Sequence, residues 1–264
     1  MPQYQRIVWV GLAVAALAIL ALAYFLFLAP AGETRKVIIP ETASLAKPGD
    51  QTAKETAEES DSAIVPLDLD LDRSDEAVRT MVAAGEIPVV MKKWLRQKDI
   101  VRTGVAAIDS IARGESPAAL LPFLAPEGKF LAAERNGSYT LDPRSYRRYD
   151  PLVNAFTAVP DKTLVTWYKT LRPTLEKAFR ELGYPNVTFA QRVQQAIEQL
   201  TQTPLPHEEA ALERKVLSYA YGDPDLESLN PAQKHLLRFG PRNAARIQDK
   251  LRSLAAALKF TGKK

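Results

Sequence analysis

Apolar positions fall into three regimes along this chain. From Ile7 to Leu28 they form one run of 22 residues, with neither charge nor proline. At about 1.5 Å per residue the run is about 33 Å long as a helix, the thickness of a bilayer's hydrocarbon core. From Pro30 to Arg73 the apolar positions lose any period (ETASLAKPGDQTAKETAEESDSA). A segment so poor in apolar surface cannot offset the entropy of ordering. From Ser74 onward apolar residues recur at spacings of three and four, the pattern of helices with one buried face. The expected organisation is a short N-terminal arm over 1–6, a transmembrane helix over 7–28, a disordered acidic linker over 29–73 and a basic, mainly helical domain over 74–264.

Within that domain, Ser74 reads as an N-cap, with Asp75 and Glu76 in the first turn where the helix dipole favours negative charge. Val101, Val105, Ile108 and Ile111 form a stripe that stops before Gly114. Asp161 reads as the cap of a long helix striped by Leu164, Tyr168, Leu171, Leu175, Ala178 and Leu182, with Pro173 inside it and Gly183 ending it. Thr188 and Gln191 fit a capping box. Asn230-Pro231 starts a short helix, and Gly240-Pro241 divides it from a last one striped by Ile247, Leu251, Leu254 and Leu258. Two places read as strand. Lys129–Leu141 fits a hairpin with Asn136-Gly137 at its turn, and Lys215–Tyr221 alternates, with Leu217, Tyr219 and Tyr221 on one side. The fold class expected is α+β, predominantly helical, with a small antiparallel β-hairpin or sheet.

Composition narrows the chemistry. The chain has no cysteine, which excludes a disulfide framework, a thiol nucleophile and a Cys zinc site. Its 35 Lys+Arg and 31 Asp+Glu are unevenly spread. Residues 29–73 hold 10 acidic and 5 basic side chains, whereas residues 74–264 hold 29 basic and 21 acidic, so an acidic linker precedes a domain of net charge +8. A cleaved signal peptide is the alternative for the apolar run, with Ala29-Pro30-Ala31 as its small-residue site. The run exceeds the usual length of about 7–15 residues for such signals, and a retained anchor is expected. Arg6 before it and Arg35 and Lys36 after it nearly balance. The very short N-terminal arm favours a signal-anchor with the domain outside the cytoplasm.

Several stretches together resemble a known family. They are Ser74-Asp75, IDSIARG (Ile108–Gly114), DPRSYRRYD (Asp142–Asp150), ELGYP (Glu181–Pro185), GDPDLE (Gly222–Glu227) and AQKHLLRFGPRN (Ala232–Asn243). With these the chain is similar to a bacterial family of single-pass membrane-anchored proteins that carry a C-terminal domain of unknown function, over roughly residues 67–258. Gly222 departs from the small apolar residue expected before Asp-Pro. The resemblance implies one anchor and one C-terminal domain, and it brings no activity and no site residues. The expected address is the bacterial inner membrane, with the domain in the periplasm.

The best binding patch in the sequence is Tyr146-Arg147-Arg148-Tyr149. Arginine offers a planar fork to carboxylate or phosphate, and tyrosine stacks on sugars or bases. The functional reading is a pocket for an anionic glycan, a lipid headgroup or an acidic peptide. The competing reading puts both tyrosines in the core and pairs the arginines with Asp142 and Asp150. Leu236–Ile247 is similar to a helix-hairpin-helix, which grips DNA phosphates, and it clusters Arg238, Arg242 and Arg246; Arg238 replaces its usual first glycine. Glu181, Asp223 and Glu227 are the carboxylates for a rival reading as an envelope-polymer hydrolase, which needs two of them roughly 5–9.5 Å apart. Asp68, Asp70 and Asp72 resemble a calcium loop, but Arg73 and Arg79 stand where its glycine and bidentate glutamate belong. Two histidines, His207 and His235, are too few for a catalytic zinc site. No metal, cofactor or catalytic residue is expected. The function expected is a non-catalytic, membrane-anchored envelope protein whose basic helical domain binds a protein, a glycan or an anionic lipid, with nucleic acid the weaker partner.

Overall fold

Helix ends are specified by side chains that accept hydrogen bonds from orphaned N–H groups. The computed structural model of the chain describes residues 64–260 apart from 86, 136, 207–209 and 216–217. The expected transmembrane helix, most of the linker and His207 lie outside the described residues. The helices are α1 (Ser74–Ala83), α2 (Val89–Trp94), α3 (Ile100–Ala112), α4 (Pro143–Arg147), α5 (Asp150–Ala158), α6 (Asp161–Arg180), α7 (Phe189–Thr201), α8 (Pro224–Glu227), α9 (Pro231–Leu237) and α10 (Pro241–Ala257). The strands are β1 (Ala132–Arg135), β2 (Ser138–Leu141), β3 (Ala211–Arg214) and β4 (Tyr219–Tyr221). The fold is thus predominantly helical with a small four-stranded antiparallel sheet. Among the described residues no helix is long and apolar enough to cross a membrane.

The caps read from the sequence are largely in place. Thr188 and Gln191 form the expected capping box at α7, and Asn230 and Gln233 form a second one at α9. Asp142 and Asp223, each followed by proline, cap α4 and α8. Two expectations are corrected. Ser74 is the first residue of α1, and its hydroxyl donates to Leu71 O at 2.9 Å, which closes the preceding turn. Asp161 occupies the first position of α6, and its carboxylate takes Lys250 and Ser253 of α10. In both cases a tertiary or upstream partner outcompetes the local N–H.

The sheet is built from two hairpins. β1 and β2 pair as expected, from Ala132↔Leu141 to Arg135↔Ser138. The strand expected over Lys215–Tyr221 is corrected: among its described residues only Tyr219–Tyr221 is strand, and Lys215 N–H donates to Ser218 O at 2.9 Å. Its partner β3 has little apolar alternation (ALER) and was not foreseen. β2 then pairs with β3 through Tyr139↔Leu212 and Thr140↔Ala211, and so joins hairpins about 70 residues apart in the chain.

The main core lies where α1, α3, α6 and α7 meet. Val78, Val82, Val101, Val105, Leu171, Ala178, Phe179 and Phe189 are all buried there. Leu182, expected on the α6 stripe, follows the end of the helix and is exposed, because the stripe rotates onto Thr174 and Phe179 instead. The linker boundary expected at Arg73 also moves. Leu67 N–H donates to Thr170 O, the buried Thr174 hydroxyl bridges Leu67 O and Leu69 N, and Leu71 is buried. Packing therefore begins at Leu67. α10 closes the other side against α5, α6 and α7. Its buried Gln248 donates to Leu200 O and Thr203 O and so satisfies carbonyls at the end of α7.

Candidate functional site

The end of β2 leads directly into the Tyr-Arg-Arg-Tyr segment. Asp142 caps α4 and also binds Arg144 in a fork, with Arg144 Nη2 to Asp142 Oδ2 at 2.6 Å. That guanidinium holds the Asp142 carboxyl low, at about 2. The buried Ser145 hydroxyl accepts from Leu131 N at 2.7 Å and donates to Leu131 O at 2.8 Å, so α4 is stapled to the residue that precedes β1. Arg148 follows the helix. Its Nε donates to Ser145 O at 3.1 Å, its Nη1 to Gly128 O at 3.0 Å, and it lies 5.8 Å from the centre of the Tyr149 ring.

Arg148 opens onto a cleft of ≈ 590 Å³ that also holds Tyr149, Arg214, Lys215 and Arg238. Arg214 ends β3 opposite Tyr219, and its Nη1 donates to Tyr139 Oη at 3.4 Å. Tyr219 packs against Phe130 and Tyr139, with centroids 5.5 and 5.7 Å apart, and gives the cleft an aromatic wall. Arg238 follows α9 and is exposed. Lys215 is paired with Glu213 at 2.8 Å. Among the described residues no carboxylate lies within ion-pair range of Arg148, Arg214 or Arg238. Arg148 donates to backbone carbonyls and Arg214 to a phenol, none of which compensates the charge.

The six residues expected to bind are thus divided by the fold. Arg148, Tyr149 and Arg238 line the large cleft. Tyr146, Arg147 and Arg242 line a separate pocket of ≈ 190 Å³, together with Asp150. The seam between them is Gly240. Its φ of +82° and its contact with the Tyr146 ring leave no room for a side chain. Tyr149 is buried and packs on Phe239 with centroids 4.4 Å apart, as the competing reading required, yet its edge still reaches the cleft. The pairings that reading proposed are replaced. Asp142 takes Arg144, and Asp150 accepts from Asn243 at 2.7 Å.

The three arginines of the hairpin segment also diverge. Arg238 faces the cleft, Arg242 the smaller pocket, and Arg246 donates to Asn154 and Thr157. Gly240 N–H, which a helix-hairpin-helix would aim at phosphate, donates to Leu237 O at 3.0 Å. The carboxylates of the hydrolase reading are each committed to a structural partner. Glu181 is gripped by Arg102 at 2.7 and 3.0 Å, and Asp223 caps α8. Glu227 accepts from Tyr221 N and pairs with Lys234 at 2.6 Å. Arg102 and Lys234 lower the two glutamates, the reverse of what a general acid needs. Of the three aspartates of the calcium-like stretch, Asp70 caps a turn, Asp72 pairs with Arg102 and Asp68 reaches Lys177. Among the described residues no cluster of His, Asp or Glu is arranged to hold a metal.

A second cavity of ≈ 300 Å³ adjoins the cleft and is almost wholly apolar. Leu121, Leu124, Leu152, Leu236 and Ile247 line it, and it shares Tyr149 and Arg238 with the cleft. Besides Arg238 and the Tyr149 phenol, His235 is the polar group in its lining. Burial, helped by the Arg238 charge, lowers its imidazole to about 4, so the ring is neutral near pH 7, with Nδ1 3.3 Å from Ser116 Oγ. Sequence reading did not find Phe130, Arg214, Lys215 or this cavity. The adjacent Arg214-Lys215 beside a strand pattern was the available signal.

Residues 100–255 match the model of a protein family described as protein of unknown function (DUF3014). No curated protein and no solved structure matches the chain.

Proposed function

The chain belongs to this DUF3014 family, and from that premise we propose that it is a non-catalytic binding module of the bacterial envelope. Its basic cleft takes the anionic group of a partner. The Ile7–Leu28 run tethers it to the inner membrane through the acidic linker, with the domain on the periplasmic side. The observation that carries the reading is the cleft of ≈ 590 Å³, where Arg148, Arg214 and Arg238 converge without a carboxylate partner among the described residues. Arginine forks prefer phosphate and carboxylate, and the Phe130–Tyr219 wall suits a sugar or alkyl group beside the charge. An anchored domain with net positive charge also stands where anionic headgroups and envelope polyanions concentrate.

The test is calorimetric titration of the full-length chain, held in discs of zwitterionic lipid, with inorganic phosphate and methyl phosphate. Binding is expected to weaken as salt rises. It should fall at least about tenfold in an Arg214→Ala, Arg238→Ala double variant, since each charged hydrogen bond is worth about 1.5–3 kcal/mol. Equal affinity in wild type and double variant would overturn the assignment of the cleft.

A further inference from the structure

The cleft and its apolar neighbour impose opposite demands on a ligand. The cleft rewards negative charge through its arginines, with the Phe130–Tyr219 wall beside them. A cavity walled by Leu121, Leu124, Leu152, Leu236 and Ile247 rewards hydrocarbon and rejects charge. The two volumes, ≈ 590 and ≈ 300 Å³, both fall in the range of small-molecule sites. Tyr149 and Arg238 line both. We propose that together they form one bipartite site for an anionic amphiphile: a single alkyl or acyl chain in the apolar cavity, with its phosphate or carboxylate head held by Arg238, Arg148 and Arg214. This rests on the cleft being an anion site, as proposed above, and adds the chemical class of what fills it.

Three observations favour this occupant. Arg238 is exposed and has no ion-pair partner among the described residues, so a charged head at the cavity mouth meets an available guanidinium. Tyr149 presents an apolar ring to both spaces, which suits the carbon atoms next to the head. His235 in the cavity wall is kept uncharged by its burial, and its Nδ1 is already engaged by Ser116 Oγ at 3.3 Å. Ala118 also lines the cavity, from an exposed position on the turn Pro117–Ala119. A larger side chain there fills the cavity from outside the main core.

The experiment is a chain-length series. The full-length chain in zwitterionic discs is titrated with methyl, butyl, hexyl, octyl and decyl phosphate below their micelle concentrations, with empty discs as the blank. Affinity is expected to rise by about fourfold for each methylene buried, and then to level once the cavity is full. Ala118→Trp is expected to flatten the series while leaving methyl phosphate affinity within about twofold, which also shows that the variant is folded. A flat series in the wild type, with methyl phosphate still bound, overturns the bipartite site and leaves the anion cleft standing. An unchanged slope in Ala118→Trp places the chain elsewhere and overturns it too. An octyl glucoside that binds as tightly as octyl phosphate removes the role of the arginines. Failure of every phosphate, methyl phosphate included, overturns the anion cleft and this site with it.

Discussion

His235 is a histidine kept neutral by its surroundings, and its titration belongs to the single residue. Its folded value of about 4 lies below its ordinary 6.5. Between those two values the unfolded chain binds a proton that the folded chain does not. Stability is therefore lost as pH falls from about 6.5 toward 4, and the loss ends below 4. A shift of this size corresponds to about 3 kcal/mol. Denaturant unfolding of the wild type and of His235→Gln at several pH values isolates the effect from the carboxylates, which titrate in both. The wild type is expected to lose about 3 kcal/mol more than the variant between pH 7 and pH 4. Parallel pH profiles would show that the imidazole is solvated after all. The histidine could be noticed in the sequence, but its apolar cavity could not, because Leu121, Leu152 and Ile247 arrive from three separate elements.

Contacts between elements are where a polar core holds this fold together. Asp109 of α3 is buried, yet it binds Arg113 at 3.0 Å and Arg192 of α7 at 2.9 Å, and it accepts from Tyr184 Oη at 3.1 Å. Arg192 lies 4.6 Å from the centre of the Tyr184 ring, which itself stacks on Phe179 of α6. One carboxylate thus ties α3 to α7 and to the loop after α6. Its removal leaves the largely buried Arg192 guanidinium without its main partner, the costly way to break such a pair. Asp109→Ala is expected to lower unfolding free energy by about 3–5 kcal/mol, read from denaturant midpoints at constant m. A loss below about 1 kcal/mol would mean that water already carries the Arg192 charge. The IDSIARG and ELGYP stretches, noted in the sequence only as family-like, supply Asp109, Arg113 and Tyr184 to this network. Their spacing in the chain, 75 residues from Asp109 to Tyr184, carries no local sign of it.

At the scale of the whole molecule, the anchor and the tether are proposals drawn from apolar length and charge, and they have their own test. Expressed in a bacterial host, the full-length chain is expected to remain with membranes after alkaline carbonate washing. Protease added to spheroplasts is expected to remove the domain. A soluble mature chain that begins near Gly32 would instead mean that the apolar run is a cleaved signal. Within the domain, the sequence by itself determined what is settled over a few residues. The capping box at Thr188 and the Asn230-Pro231 start each depend on neighbours within about four positions, and the hairpin pairs Ala132 with Leu141 across one short turn. Only the tertiary structure decided the site. Pairing of β2 with β3 carries Arg214 beside Arg148. The burial of Gly240 under Tyr146 sends Arg238 and Arg242 to opposite pockets. The reason is physical: hydrogen bonds at caps and turns are local, whereas which charged side chains share a cleft depends on which faces distant elements bury against one another.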